Sequence, residues 1–178
     1  MDRVDPNAEA SGAAMIAVLN CARGEHLRPI MDKHGLRNVD PAEWYPMRVW
    51  LDVIKDIAQD SMAPYDLIAI GKEIAINAPL SEVIETVEDA VIELPQLYQR
   101  NYRKGNVGHY LIEKVKDGHL KVIGHVPFPG DLTLGVLRGL VKRYASKSLH
   151  YSVTLDLADG VNTASDADHF TFDVKWWN

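Results

Sequence analysis

Gly108–Val126 reads GHYLIEKVKDGHLKVIGHV. Two runs of strand-forming residues flank Asp117–Gly118, a pair suited to a tight hairpin turn. Alternation gives His109, Leu111, Glu113 and Val115 one side of the first strand, with Tyr110, Ile112 and Lys114 on the other. In the second strand His119, Lys121 and Ile123 oppose Leu120, Val122 and Gly124. If the two strands pair, His109 can face His125. This hairpin decides the fold class, because nearly everything before it carries a helical period.

After the hairpin, Pro127–Phe128–Pro129–Gly130 breaks the pattern. DLTLGVLRGLVKRYA then places Leu134, Leu137, Leu140, Val141 and Tyr144 on one helical face. Gly135 and Gly139, four apart, are expected to let that helix approach the sheet closely. Two more strands follow, near Tyr151–Leu157 and His169–Trp176.

Before the hairpin, the first dozen residues read as a loose tail. Two short helices follow, broken near Gly24 and stopped at Gly35. Asp40 and Pro41 read as the start of a short helical turn, and Pro46 as the start of a longer helix carrying Val49, Trp50, Val53, Ile54 and Ile57. PYDLIAIGKEIAIN can be read as a helix or, from its β-branched residues, as a strand; the helix is preferred because the flanking segments share its period. Ser81 is expected to cap the next one, whose stripe is Val83, Ile84, Val87, Val91 and Leu94, with Pro95 bending or ending it. The expectation is an α+β chain: a helical lobe over 13–103, then a β-β-α-β-β antiparallel unit over 104–178, both within one compact domain 1–178.

The formal charge is −6 over 178 residues with no basic block, which argues against a nucleic-acid partner. Cys21 is the only cysteine, so no intramolecular disulfide or multi-cysteine metal site can form. No apolar run approaches the roughly 20 residues that span a membrane. The start MDRVDPNAEASG lacks a basic head and apolar core, so the cytoplasm is the expected location. Neither GNVG nor GDLTLGVLRG follows a phosphate-loop pattern, and no nucleophile constellation is evident, so no catalytic residue is assigned.

Tyr98, Tyr102 and Tyr110 cluster where the helical half meets the hairpin. Aromatic bodies with polar tips suit a small-molecule pocket, which Trp50 can close from the helical side. Core packing is the plainer reading of the same residues. His125 stands out among the histidines because it directly precedes the rigid proline segment. The terminal loop carries Asp156, Asp159, Asp166, Asp168 and His169, but its spacing is not that of an EF-hand. Turn chemistry accounts for it, so no metal is expected; a metal-dependent enzyme using this loop is an alternative. Adjacent Trp176 and Trp177 must face opposite sides of a strand, so one of them is a candidate homodimer contact.

Four stretches, LPQLYQRNY, PFPGDLTLGVLRGLV, HFTFDVKW and WYPMRVWLDVI, taken in this order of elements, resemble the superfamily of haem–nitric-oxide-binding and vinyl-reductase-type (V4R-like) small-molecule-binding domains, as a bacterial branch. The resemblance implies a sensory fold with a pocket between helices and sheet, used for haem, aromatic compounds or tetrapyrrole-related molecules. It also implies, in some members, a zinc held by cysteines at the final hairpin. Here His169 stands where a cysteine would, and the Tyr-x-Ser-x-Arg signature of the haem branch is missing; YLIEKVK from Tyr110 lacks the serine and arginine. The expected function is therefore a non-catalytic ligand-binding or sensory protein for an apolar or aromatic small molecule, bound by Tyr98, Tyr102, Tyr110, His125 and Trp50, with no cofactor. A haem-binding gas sensor and a ligand-free interaction module are the alternatives.

Overall fold

The computed structural model describes residues 4–59, 62–156 and 169–178. Its N-terminal stretch is not a loose tail. Val4, Ala8 and Ala10 are buried, and Glu9–Ser11 forms strand β1. Ser11 then caps helix α1 (Gly12–Asn20), its hydroxyl accepting from the Ala14 N–H. Helix α2 (Gly24–Lys33) follows a break at Cys21–Arg23 and stops at Gly35, whose φ of 76° suits glycine.

Asp40 does not start a helix. Its carboxylate accepts from the Ala42 N–H within a turn, and Trp44–Pro46 becomes strand β2, with Tyr45 opposite Ala10. Helix α3 (Met47–Ala58) buries Trp50, Val53, Ile54 and Ile57, and α4 (Ala63–Asn77) confirms the helical reading of PYDLIAIGKEIAIN. Helix α5 (Val87–Ile92) begins five residues later than Ser81 suggested. Thr86 and Asp89 form a reciprocal capping box there, which leaves Val83 80 % exposed. Helix α6 (Leu94–Asn101) carries Pro95 in its first turn and runs into strand β3 (Tyr102–Arg103). β1, β2 and β3 make a small antiparallel sheet inside the helical half, in the order β2-β1-β3. Three-residue strands carry no readable alternation, so sequence periodicity passes over them.

The second half is the expected antiparallel unit. Strand β4 (His109–Lys116) pairs with β5 (His119–His125) in the register that sets His109 opposite His125, around Gly118 at φ 73°. After helix α7 (Gly130–Tyr144) come β6 (His150–Leu155) and β7 (Phe170–Trp177), giving the order β4-β5-β7-β6. Tyr110, Leu120, Val122, Phe170, Phe172 and Val174 are buried along these strands.

Helix α7 approaches α4 more closely than the sheet expectation allowed for its glycines. A Cβ at Gly135 would lie 2.3 Å from the Ile68 carbonyl oxygen, and one at Gly71 2.2 Å from that of Leu132. Gly135 and Gly139 thus serve a helix–helix contact, with Ala75 facing Gly139. Among the described residues no helix is long and apolar enough to cross a membrane.

Candidate functional site between helices and sheet

Three elements bring the tyrosines together. Tyr98 comes from α6, Tyr102 from β3 and Tyr110 from β4. The Tyr98 ring lies 4.5 Å from that of Tyr102 and 5.2 Å, edge-on, from that of Tyr110. Phe128, in the rigid segment before α7, completes the group 5.2 Å from Tyr102.

The polar tips of Tyr98 and Tyr110 turn to protein partners. Tyr98 donates to the Val107 carbonyl, and Tyr110 shares a hydroxyl–hydroxyl hydrogen bond of 2.7 Å with Thr133. Burial drives all three phenols well above the usual tyrosine pKa of 10.0. The Thr133 hydroxyl opposes this at Tyr110, and the indole N–H of Trp50 opposes it at Tyr102. The rings therefore stay neutral and offer mostly carbon surface.

They surround a cavity of about 40 Å³, together with Leu94, Leu97, Leu132, Val136 and Ile74. Ligand pockets for drug-sized molecules run to roughly 300–1,000 Å³, so this space suits only a few heavy atoms. Trp50 is fully buried beside Tyr102 but does not line the cavity. His125 is elsewhere. It sits exposed on the opposite side of the sheet, its ring 5.1 Å from His109 and 5.9 Å from His169. Burial and those two neighbours lower its pKa.

Sequence reading missed Phe128, Thr133 and the apolar wall of α7. Thr133 carried a faint signal, as the one aliphatic hydroxyl among the apolar residues of that helix. Beside the cavity runs a groove of about 240 Å³ between α1, α4 and α6, and the two share Ala14, Ile74 and Asn101. Asp159, Asp166 and Asp168 of the terminal loop lie outside the described residues. Among the described residues no group of three or more histidine, cysteine, aspartate or glutamate side chains could hold a metal ion.

This arrangement of helices over one side of a four-stranded antiparallel sheet has counterparts among solved structures. The fold is that of H-NOX proteins. The H-NOX protein from S. oneidensis in its Fe(II)NO state superposes with a TM-score of 0.67 at 13 % identity, covering 94 % of this chain and 99 % of that one. Unliganded Fe(II) H-NOX from K. algicida gives 0.66 at 10 % identity, covering 94 % and 97 %. A single-substitution variant of Tt H-NOX gives 0.64 at 12 % identity, covering 94 % and 93 %. No family model matches the chain, and no curated protein does.

The H-NOX fold implies haem, so the lining can be tested for it. Neither the cavity nor the groove is lined by a histidine, cysteine or methionine that could ligate iron, or by a lysine or arginine that could meet a propionate. The tyrosines are the remaining candidate ligands, and the hydroxyls of Tyr98 and Tyr110 are already engaged by the Val107 carbonyl and Thr133. The described residues that line the cavity and the groove do not fit the group.

Proposed function

We propose that this chain is a small-molecule sensor on an H-NOX fold, in which a small, largely apolar ligand replaces haem between helices and sheet. The observation that carries this reading is the tyrosine cavity itself, whose Tyr98 and Tyr110 hydroxyls are engaged by Val107 and Thr133 and whose free space is about 40 Å³. A ligand there would touch α6, β4 and α7 at once, and so could bias how helices and sheet sit together. Titration with cyclopropane, dimethyl sulfide and dichloromethane tests the reading. Binding should raise the melting temperature and perturb the emission of Trp50, which lies beside Tyr102. No change with any of the three would sink it.

A haem-binding gas sensor is the second reading, favoured by the likeness to H-NOX structures across 94 % of the chain. Its test is the Soret band, sought in the purified protein and after titration with haem. Stoichiometric uptake with a defined axial ligand would replace the first reading. The homodimer expectation now rests on Trp177, which is 51 % exposed and stacked with His150. Sedimentation of Trp177→Ser against the parent chain checks it.

A further inference from the structure

The groove beside the tyrosine cavity differs from it chemically. Its floor is made of Ala14 and Ala17 of α1 and of Ala78 beyond the end of α4, with exposed Ala13 at its mouth. Its polar rim is Asn20, Glu73, Asn77 and Asn101, and among the described residues Glu73 is the only charged one in its lining. Asn77 donates to both the Glu73 backbone carbonyl, at 2.9 Å, and its carboxylate, at 3.2 Å, which fixes the acid on the last turn of α4.

The C-terminal carbonyls of α4 add no free negative potential there, because Arg143 donates to those of Ala75, Ile76 and Ala78. Arg100 donates to Glu93 and to the Pro79 carbonyl. Neither arginine lines the groove, so its own charge is that of Glu73. A cation entering it would meet that carboxylate and the amide oxygens of the rim, and then an aromatic wall that also tolerates alkylammonium carbon.

We propose that groove and cavity form one continuous site whose ligand is a small amine with an apolar body, the ammonium held at Glu73 and the body directed toward the tyrosines. This inference rests on the tyrosine cavity being a ligand site and adds the class of ligand. Its test uses three near-isosteric probes, 2-phenylethylamine, 2-phenylethanol and phenylacetate, followed by calorimetry on the full chain. The amine should bind at least tenfold tighter than the alcohol, and the carboxylate weakest. Glu73→Gln should bring the amine down to the alcohol's affinity and leave the alcohol unchanged. Ala13→Phe, at an exposed groove position outside the core, should close the mouth and abolish binding of all three without lowering the melting temperature.

Equal affinity for amine and alcohol, or an amine preference that survives Glu73→Gln, overturns the amine assignment while leaving the cavity reading intact. Absence of binding by all three probes overturns it too. The cavity reading then stands or falls separately on cyclopropane, dimethyl sulfide and dichloromethane.

Discussion

Tyr110 on β4 and Thr133 on α7 are joined hydroxyl to hydroxyl at 2.7 Å, and both are buried. The bond ties the first strand of the sheet to the helix packed beside it. Removing one partner leaves the other's polar atom dry, at a cost of roughly 1–3 kcal/mol, whereas removing both can be nearly neutral. Tyr110→Phe should therefore destabilise by about that amount, and Tyr110→Phe with Thr133→Val by clearly less than the sum of the single changes. A double-mutant cycle from urea unfolding measures the difference.

The buried phenols give a pH dependence of definite sign. A tyrosine whose folded pKa is raised holds its proton longer folded than unfolded, so it favours the folded state less as pH climbs. The contribution of Tyr98, Tyr102 and Tyr110 is complete below pH 10.0, the ordinary tyrosine value, and is lost progressively above it. In an alkaline titration followed at 295 nm, these three should ionise together with unfolding. Tyr102→Phe should flatten the alkaline loss of stability. An early, fully reversible ionisation of all seven tyrosines in folded protein would contradict this.

The hairpin of β4 and β5 was legible because its residues alternate and its turn pair has one conformational use. The tyrosine cluster was legible for a different reason, since Tyr98, Tyr102 and Tyr110 lie close together in sequence. What the sequence hid was tertiary. Phe128 and Thr133 join the site only because α7 folds back over the strand bearing Tyr110. His125 looked like a pocket residue by its position before Pro127, yet alternation from the buried Gly124 puts it on the outer face. Gly135 and Gly139 announced close packing, but nothing in a four-residue spacing says whether a sheet or another helix will fill the gap. Strand β1 fell in a stretch too short and too polar at its start to read, and its burial comes from pairing with β2 and β3.

The histidine row on the outer face should show a depressed central member. His125 is held below the ordinary value of 6.5, first by burial and then by His109 and His169. A lowered histidine pKa means the folded state prefers the neutral ring, so the contribution to stability is present above the ordinary value and is lost as pH falls below it. His109→Gln and His169→Gln should each raise the His125 midpoint in an NMR titration and lessen the loss of melting temperature between about pH 7 and pH 5. An unchanged midpoint in both variants would show that burial alone sets it.

Gly135→Ala pits two effects of opposite sign against each other. Alanine is intrinsically better than glycine inside a helix by about 1 kcal/mol. Here, however, the new methyl would sit 2.3 Å from the Ile68 carbonyl oxygen, a backbone atom that cannot rotate away. Relieving the overlap means moving α7 off α4, and overpacking of this kind costs about 1–3 kcal/mol or more. The clash should win, giving net destabilisation on thermal unfolding. Gly35 supplies the contrast, since no atom lies within 4 Å of its added Cβ and only its φ of 76° resists substitution. Gly35→Asn should accordingly be tolerated better than Gly35→Ala, because asparagine accepts the left-handed region. No side chain at Gly135 should show such a rescue, because the obstacle there is an oxygen of α4 rather than the glycine's own backbone.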